Sequence, residues 1–368
     1  MIKLKKDKWR TVPLGEICKL EYGNNLTDKM RKGGSVPVYG SAGIVGWHDK
    51  PLTNSPTLIV GRKGSVGNVF YSEVPCYPID TTYYVEETVC KENLRWLELF
   101  LSNFNLRQLN MATAVPGLNR NIAHLIQIPL PPLSEQKQIA SLFQSIETAM
   151  VQVDGQEKNL KALRKSLINK LRRKKTEFGT LLIKSSCKEY SIGDLAVEVP
   201  DRTDNPQKSG IEKFIGLEDF ESGELTIHKF SSTEKLVSAM KLCKQGDVLF
   251  ARRNAYLKRA SLTEFDAVCS GDVIVMRANE KFILPKFLIL IMNTDEFWEF
   301  AISNAAGTMS KRVKWRDLAT YTLELPDLKI QSKILEVFNQ IETTLSQLIQ
   351  QKTTLKLLKQ KLLNEILG

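Results

Sequence analysis

Pro131-Pro132-Leu133-Ser134-Glu135-Gln136-Lys137-Gln138-Ile139 and, much later in the chain, Pro326-Asp327-Leu328-Lys329-Ile330-Gln331-Ser332-Lys333-Ile334 open two long helices on one plan. Proline ahead of the first turn and Ser134 as a candidate N-cap are helix-start chemistry, and each stretch runs straight into apolar heptads. In the first helix Ile139, Ile146, Val153, Leu160 and Leu167 fall at d, with Phe143, Met150, Glu157, Arg164 and Leu171 at a. In the second, Ile334, Ile341, Leu348, Leu355 and Leu362 fall at d, with Phe338, Leu345, Lys352, Lys359 and Ile366 at a. Each pattern lasts long enough for a coiled coil, and both helices carry their polar a residues in the same heptads. A surface helix packed on its own domain would explain either stripe alone. Two matched stripes favour pairing, with Ile139, Phe143, Ile146, Leu160 and Leu167 set against Ile334, Phe338, Ile341, Leu355 and Leu362. Because each helix closes a compact region, the expected pairing is antiparallel and pseudo-two-fold symmetric. Ile139 then lies near Ile366 and Leu171 near Ile334, in a rod of roughly 50 Å at ~1.5 Å per residue.

The regions before the helices also match. Leu14-Gly15-Glu16-Ile17 resembles Ile192-Gly193-Asp194-Leu195, and each is followed by β-branched runs, such as Thr57–Val60 and Gly246–Phe250, that read as strands. The predicted fold class is α/β (α+β): two similar domains, 1–132 and 176–326, joined by long helices over 133–175 and 327–368. The basic run Lys170-Leu171-Arg172-Arg173-Lys174-Lys175 ends the first helix near Phe178 and Gly179, where cations suit the C-terminal dipole.

The composition bounds the function. At 368 residues the chain is long enough for two cores, and 42% hydrophobic with 25% charged residues is ordinary for a folded, water-soluble protein. A formal charge of +11 and a pI near 9.2 point to a polyanionic partner. A membrane surface is the weaker option, because no apolar run reaches the ~20 residues of a spanning helix and the first residues lack the pattern of a signal peptide. A cytoplasmic location is expected. Cys18, Cys76, Cys90, Cys187, Cys243 and Cys269 are scattered singly and read as buried, reduced thiols. His48, His124 and His228 are isolated, so no metal site is expected.

Two loops carry the residue types that read nucleic acid. Gly61-Arg62-Lys63-Gly64-Ser65-Val66-Gly67-Asn68 lies between two strands, where glycines permit close approach to phosphate, Arg62 can donate bidentately to guanine and Asn68 can pair with adenine. Its counterpart, Arg252-Arg253-Asn254-Ala255-Tyr256-Leu257-Lys258-Arg259, again follows a strand with clustered cations and an amide. Tyr256 offers an aromatic face for sugar or base, a buried tyrosine being the competing account. Shortly before each long helix comes a polar stretch suited to phosphate positioning: Asn119 and Arg120 after Gly117 in one half, Ser310, Lys311 and Arg312 after Gly307 and Thr308 in the other. Helix capping and turn formation explain the Asn and Ser residues equally well taken singly. Catalytic signatures are missing. There is no Gly-rich cofactor loop of dinucleotide type, no phosphate-binding nucleotide loop and no Asn/Asp-Pro-Pro-Tyr/Phe turn. Glu218 with Asp219, and Glu86 with Glu87, are acidic pairs that nothing arranges as an acid/base couple.

Taken together, the Leu14–Ile17 opening, the Gly61–Asn68 loop, the Pro131–Ile139 helix start and the long helix, repeated with variation, resemble the specificity subunit of type I restriction-modification enzymes over essentially the whole chain. The second helix start is the looser match, with Asp327-Leu328-Lys329-Ile330-Gln331 in place of Pro132-Leu133-Ser134-Glu135-Gln136. The resemblance implies two target-recognition domains, each reading one half of a split double-stranded DNA site and held apart by the helices. It implies docking of two copies of a modification subunit that carries S-adenosylmethionine and methylates adenine. A restriction subunit using ATP and Mg is a further partner in such assemblies. The chain itself is then non-catalytic, binds no cofactor, and works in the prokaryotic cytoplasm. Physical reasoning agrees: two readers joined by a rigid spacer gain from effective concentration, and half-sites on one face of B-DNA lie ~34–36 Å apart, within reach of the rod. A standalone DNA-binding regulator and a nuclease with an unrecognised site are the alternatives, separated by co-purification with a methyltransferase and by a cleavage assay with metal.

Overall fold

The computed structural model describes residues 4, 6–109, 117–171, 187–307 and 310–368. The basic run from Arg172 onward, the expected boundary at 175/176 and Thr308 lie outside the described residues. Packing divides the chain into two units: the chain up to Asp154 with Gln350–Gly368, and Gly155–Ile349. The sequence division sets boundaries at the helix starts, whereas the packing sets them inside the helices. The reason is that the two parts of each helix pack into different cores.

In the first unit a two-stranded ribbon pairs Arg10–Pro13 with Gln127–Leu130, bringing the ends of the domain together. Leu14–Ile17 follows as a single helical turn, its Leu14 N–H donating to Ile126 O. An antiparallel sheet then runs in the order Glu21–Tyr22, Thr82–Glu86, Thr57–Gly61, Val69–Ser72. Thr57–Gly61 is buried along its whole length, as its unbroken apolar run demands. Helix Leu94–Asn103 buries Trp96, Leu97 and Phe100 in the same core as Leu58, Val60 and Val85. A smaller sheet of Gly43–His48, Val36–Gly40 and Tyr77–Pro78 completes the unit.

The second unit has the same plan. Lys188–Ser191 pairs with Thr322–Leu325, the turn Ile192–Leu195 donates from Ile192 N–H to Tyr321 O, and the sheet runs Ala196–Glu198, Val273–Ala278, Val248–Ala251, Ala260–Leu262. Helix Pro285–Met292 stands where Leu94–Asn103 does in the first unit. The departure is the remaining sheet, which has five strands, in the order Arg202–Thr203, Met240–Cys243, Ala267–Cys269, Lys213–Ile215, Ser231–Ser232. Of the cysteines, Cys18, Cys76, Cys243 and Cys269 are buried, while Cys90 and Cys187 are half-buried. Among the described residues no helix is long and apolar enough to cross a membrane.

The long helices are Leu133–Lys170 and Leu328–Leu367. Ser134 is not the N-cap of the first: the N–H groups of Glu135 and Gln136 both donate to Pro132 O, which puts Ser134 inside the first turn. Asp327 does cap the second, its carboxylate accepting from Ile330 N–H at 2.9 Å. In that first turn each helix carries a fully buried glutamine. Gln136 Nε2 donates to Pro131 O at 2.9 Å and to Glu92, while its Oε1 accepts from Asn93 N–H at 2.9 Å. Gln331 Nε2 donates to Pro326 O at 2.9 Å and Phe282 O at 2.8 Å, and its Oε1 accepts from Leu284 N–H at 3.0 Å. Each amide therefore fastens the helix start to the residue preceding helix Leu94–Asn103 or Pro285–Met292.

Every a and d position of both heptad patterns is buried or half-buried. In the first unit Ile139 and Phe143 share a hydrophobic cluster with Ile366 and Leu367, and Leu362 packs against it. In the second, Leu167 and Leu171 share a cluster with Ile334, Phe338 and Ile341, with Leu160 packed alongside. The polar a residues are ion-paired rather than solvated. Lys359 meets Glu147 at 2.7 Å and Lys352 meets Asp154 at 2.5 Å, so within the first unit one helix ascends as the other descends. In the second unit Arg164, almost fully buried, donates to Glu342 at 2.9 Å and to Gly223 O at 2.8 Å.

Replacing Gln331 by Leu leaves the buried Pro326 carbonyl and the half-buried Leu284 N–H without their partner, and Gln136→Leu does the same to the Pro131 carbonyl and the Asn93 N–H. Each is expected to cost about 1–3 kcal/mol, read as a lowered urea midpoint in tryptophan fluorescence, with Trp9, Trp47 and Trp96 in the first unit and Trp298 and Trp315 in the second. An unchanged midpoint in both would show that the ties contribute nothing to stability.

Candidate nucleic-acid interface

The two basic loops hang on one backbone frame. In the first unit Arg62 N–H donates to Thr81 O at 2.9 Å and Arg62 O accepts from Leu118 N–H at 2.9 Å. In the second, Arg252 N–H donates to Asp272 O at 3.0 Å and Arg252 O accepts from Val313 N–H at 3.0 Å. Isolated bridges join Lys63 to Gly117 and Arg253 to Arg312. In each unit the frame thus draws a strand-loop and the segment ahead of the long helix to one place, uniting residues far apart in sequence.

In the first unit the frame encloses a depression of about 370 Å³ lined by Tyr22, Arg62, Lys63, Tyr83, Asn119 and Arg120. The guanidinium carbons of Arg62 and Arg120 each lie 4.8 Å from the centre of the Tyr22 ring, so one half-exposed tyrosine holds two cations by their attraction to its π face. Arg62 also donates to Asp80 O at 3.0 Å. Beneath them Tyr83 packs edge-on to Tyr22 at 5.1 Å and donates its hydroxyl to Leu118 O at 2.9 Å. Burial, with Tyr22 alongside, pushes the Tyr83 hydroxyl up to about 12, so it stays a neutral donor. Asn119 caps helix Arg120–His124, accepting from Asn121 and Ile122 N–H, which sets the helix that presents Arg120. Burial and the charge on Arg120 hold His124 below its usual range, consistent with the neutral ring that accepts from Leu20 N–H at 3.2 Å.

Ser65 and Asn68 do not line this depression. Ser65 N–H donates to Ser41 Oγ at 3.3 Å. Asn68 Nδ2 donates to Ser41 O at 3.2 Å and its Oδ1 accepts from Arg107 at 3.1 Å. Both ends of that amide are occupied, so the expected pairing of Asn68 with adenine is replaced by a structural role. Gly67 likewise serves packing: at φ 78° its backbone is left-handed, and a Cβ would come within 2.8 Å of Leu106 Cβ.

In the second unit the loop turns sharply. Asn254 (φ 55°) and Lys258 (φ 50°) are both left-handed and bracket the turn Ala255–Leu257. Asn254 N–H donates to Lys311 O at 3.1 Å, which ties the turn to the 310–312 segment. Left-handed backbone is costly for lysine, and an ion pair of Lys258 with Asp295 at 2.9 Å holds it, also drawing Asp295 below the usual carboxylate range. Tyr256, at the apex, is 65% exposed, which decides for a presented ring over a buried one. Arg253 and Lys311 are exposed beside it, and Ser310 is half-buried. Arg312 is not a loose cation: it donates to both oxygens of Asp272, at 2.8 and 3.2 Å, and with Lys258 is withdrawn from direct readout. That pair also draws Asp272 below the usual carboxylate range.

Tyr22, Tyr83 and Asp272 do not stand out in the sequence: the sheet order, with Thr82–Glu86 between Glu21–Tyr22 and Thr57–Gly61, brings the two tyrosines to the Arg62 loop, and the backbone bond from Arg252 brings Asp272 to its loop. A rule that aromatics on the strands flanking a basic loop matter would have pointed to Phe70 and Tyr71 instead; nothing local marks Tyr22, Tyr83 or Asp272.

Two copies of one frame, each presenting clustered cations with an aromatic ring, define a duplicated nucleic-acid-recognition protein. A family profile described as type I restriction modification DNA specificity domain matches residues 6–162 and again 185–357. The chain belongs to this family, whose specificity subunits recognise DNA targets. The specificity subunit of the type I restriction enzyme EcoDI of Escherichia coli is 22% identical over 376 residues, covering 90% of this chain and 81% of that protein. The HindI specificity subunit of Haemophilus influenzae is 25% identical over 185 residues, covering 48% of this chain and 40% of the relative. In fold, the crystal structure of a type I S subunit from M. genitalium is similar with a TM-score of 0.62 at 15% identity, over 98% of this chain and 97% of that one.

If Tyr22 fixes Arg62 and Arg120, Tyr22→Leu removes two cation–π contacts of about 0.5–1 kcal/mol each and should weaken duplex DNA binding roughly five- to thirtyfold, while Tyr22→Phe binds like the wild type. Fluorescence anisotropy with duplex DNA measures this, and equal weakening by both variants would assign the effect to the hydroxyl instead.

Proposed function

We propose that this chain recognises a two-part double-stranded DNA target, one part for each unit, and that the long helices pair as an antiparallel, pseudo-two-fold coiled coil that sets the distance between the parts. The observation that carries this reading is the duplicated frame of Arg62 and Arg252, placed in both units on a sheet of the same order and ahead of a helix fastened by the same buried glutamine. In each unit the residues proposed to meet DNA are Arg62, Lys63, Asn119 and Arg120, and Arg252, Arg253, Asn254, Tyr256, Ser310 and Lys311.

On this reading the chain is non-catalytic and binds no cofactor. The chemistry belongs to partners in the prokaryotic cytoplasm: two modification subunits carrying S-adenosylmethionine dock on the helices and methylate adenine, and a restriction subunit supplies ATP- and Mg-dependent cleavage. Family membership supports assembly with other subunits of a restriction-modification system.

Methylation-sensitive sequencing of host DNA tests the reading. The wild-type complex should mark a split, adenine-methylated motif. Arg252→Ala with Arg253→Ala should relax the bases of one part, by ~1–3 kcal/mol for an arginine that makes a bidentate base contact, and leave the other part unchanged. An unsplit motif, or one that the double variant methylates at the normal rate, contradicts it.

A further inference from the structure

In the second unit two arginines face one carboxylate but are not held alike. Arg312 donates from Nε to Asp272 Oδ1 at 2.8 Å and from Nη2 to Oδ2 at 3.2 Å, a two-pronged pair that commits its fork. Arg252 Nε lies 3.5 Å from the same Oδ1, an ion pair without a hydrogen bond, and that nitrogen is buried without a hydrogen-bond partner. The rest of the Arg252 guanidinium makes no hydrogen bond among the described residues. The backbone of Arg252 is nonetheless fixed on both sides, by Asp272 O and by Val313 N–H. Asp272 therefore grips Arg252 by its main chain and its charge while Arg312 fills the carboxylate's hydrogen-bonding edge.

The first unit lacks this device. There the backbone partner of Arg62 is Thr81, which carries no charge, and the guanidinium lies on Tyr22 instead.

We propose that Asp272 is a specificity-determining positioning residue. By binding Arg312 it neutralises a cation that would otherwise bind phosphate on any sequence, and it leaves the fork of Arg252 oriented and uncommitted for a base edge. Phosphate contacts add affinity without sequence information, whereas a bidentate arginine on a base edge discriminates, so trading one cation for an aimed one raises specificity at the expense of affinity. The inference rests on the reading of the second unit as one of two DNA readers.

The experiment is selection from a random duplex pool by the full-length chain, together with its affinity for random duplex DNA. Asp272→Asn keeps the shape and removes the charge. Random-duplex affinity should rise about three- to tenfold, its salt dependence steepening by about 0.9 in log–log slope for one additional phosphate neutralised, while one half of the selected consensus flattens and the other is kept. Arg312→Met leaves Asp272 free to accept the fork of Arg252, so the same half flattens but random-duplex affinity falls. Opposite shifts in affinity with loss at the same half are not what a collapsed loop produces. Asp272→Glu should restore the consensus. A consensus unchanged in both variants, or affinities that move in the same direction, overturns the assignment of Asp272 alone. A wild-type chain that selects no two-part consensus overturns it together with the reading on which it rests.

Discussion

A neutral amide buried in the first turn of each long helix is the contact on which the rest of each unit depends. Gln136 and Gln331 have no exposure to water, so every donor and acceptor on their side chains must be met inside the protein. They are met by a proline carbonyl just before the helix, by backbone groups near the start of the neighbouring helix and, for Gln136, by the Glu92 carboxylate. Glutamate in place of either would turn an acceptor toward those carbonyls, and an apolar side chain would leave buried main-chain groups without partners. The amide thus fixes where the helix leaves its domain, and with it the phase of the apolar stripe that carries Ile139 and Phe143 in one unit and Ile334 and Phe338 in the other.

From that fixed start the helices keep polar residues in their apolar stripe without breaking it. Arg164, Lys352 and Lys359 sit at a positions, and each finds a carboxylate on the opposing helix. A lone buried charge would be strongly destabilising; a paired one mainly specifies alignment, because sliding one helix by a turn separates every pair at once. The basic loops follow the same division between a shared frame and variable side chains. Thr81 and Asp272 make the same backbone bond, yet one site places its arginines on an aromatic ring and the other on a carboxylate. One frame can therefore carry two different sets of cations.

Periodicity made the helices legible, because an apolar stripe repeating every seven residues has few other uses, and Leu14–Ile17 with Ile192–Leu195 marked the repeat. The strand carrying each basic loop was legible from its β-branched run. The roles of single polar residues were not. Ser134 resembles an N-cap, yet Pro132 O already receives the first helical bonds. Asn68 resembles a base-reading amide, yet Ser41 and Arg107, both distant in sequence, occupy it. Arg312 and Lys258 resemble free cations until the fold delivers Asp272 and Asp295 to them. Each of these outcomes turns on a partner supplied by chain topology, which local spacing does not encode.

The spacing role of the helices is the centre of the proposed function, and a matched insertion tests it most directly. Four residues added after Gly155 and four after Gln350 add ~6 Å of rise to both helices. The insertions leave the Lys359–Glu147 and Lys352–Asp154 pairs within the first unit and Arg164–Glu342 within the second. Methylation-sensitive sequencing of host DNA should then give the same two half-sites with a gap longer by roughly one to two base pairs at ~3.4 Å each. Methylation at the original gap, or altered half-site bases at an unchanged gap, would contradict the account.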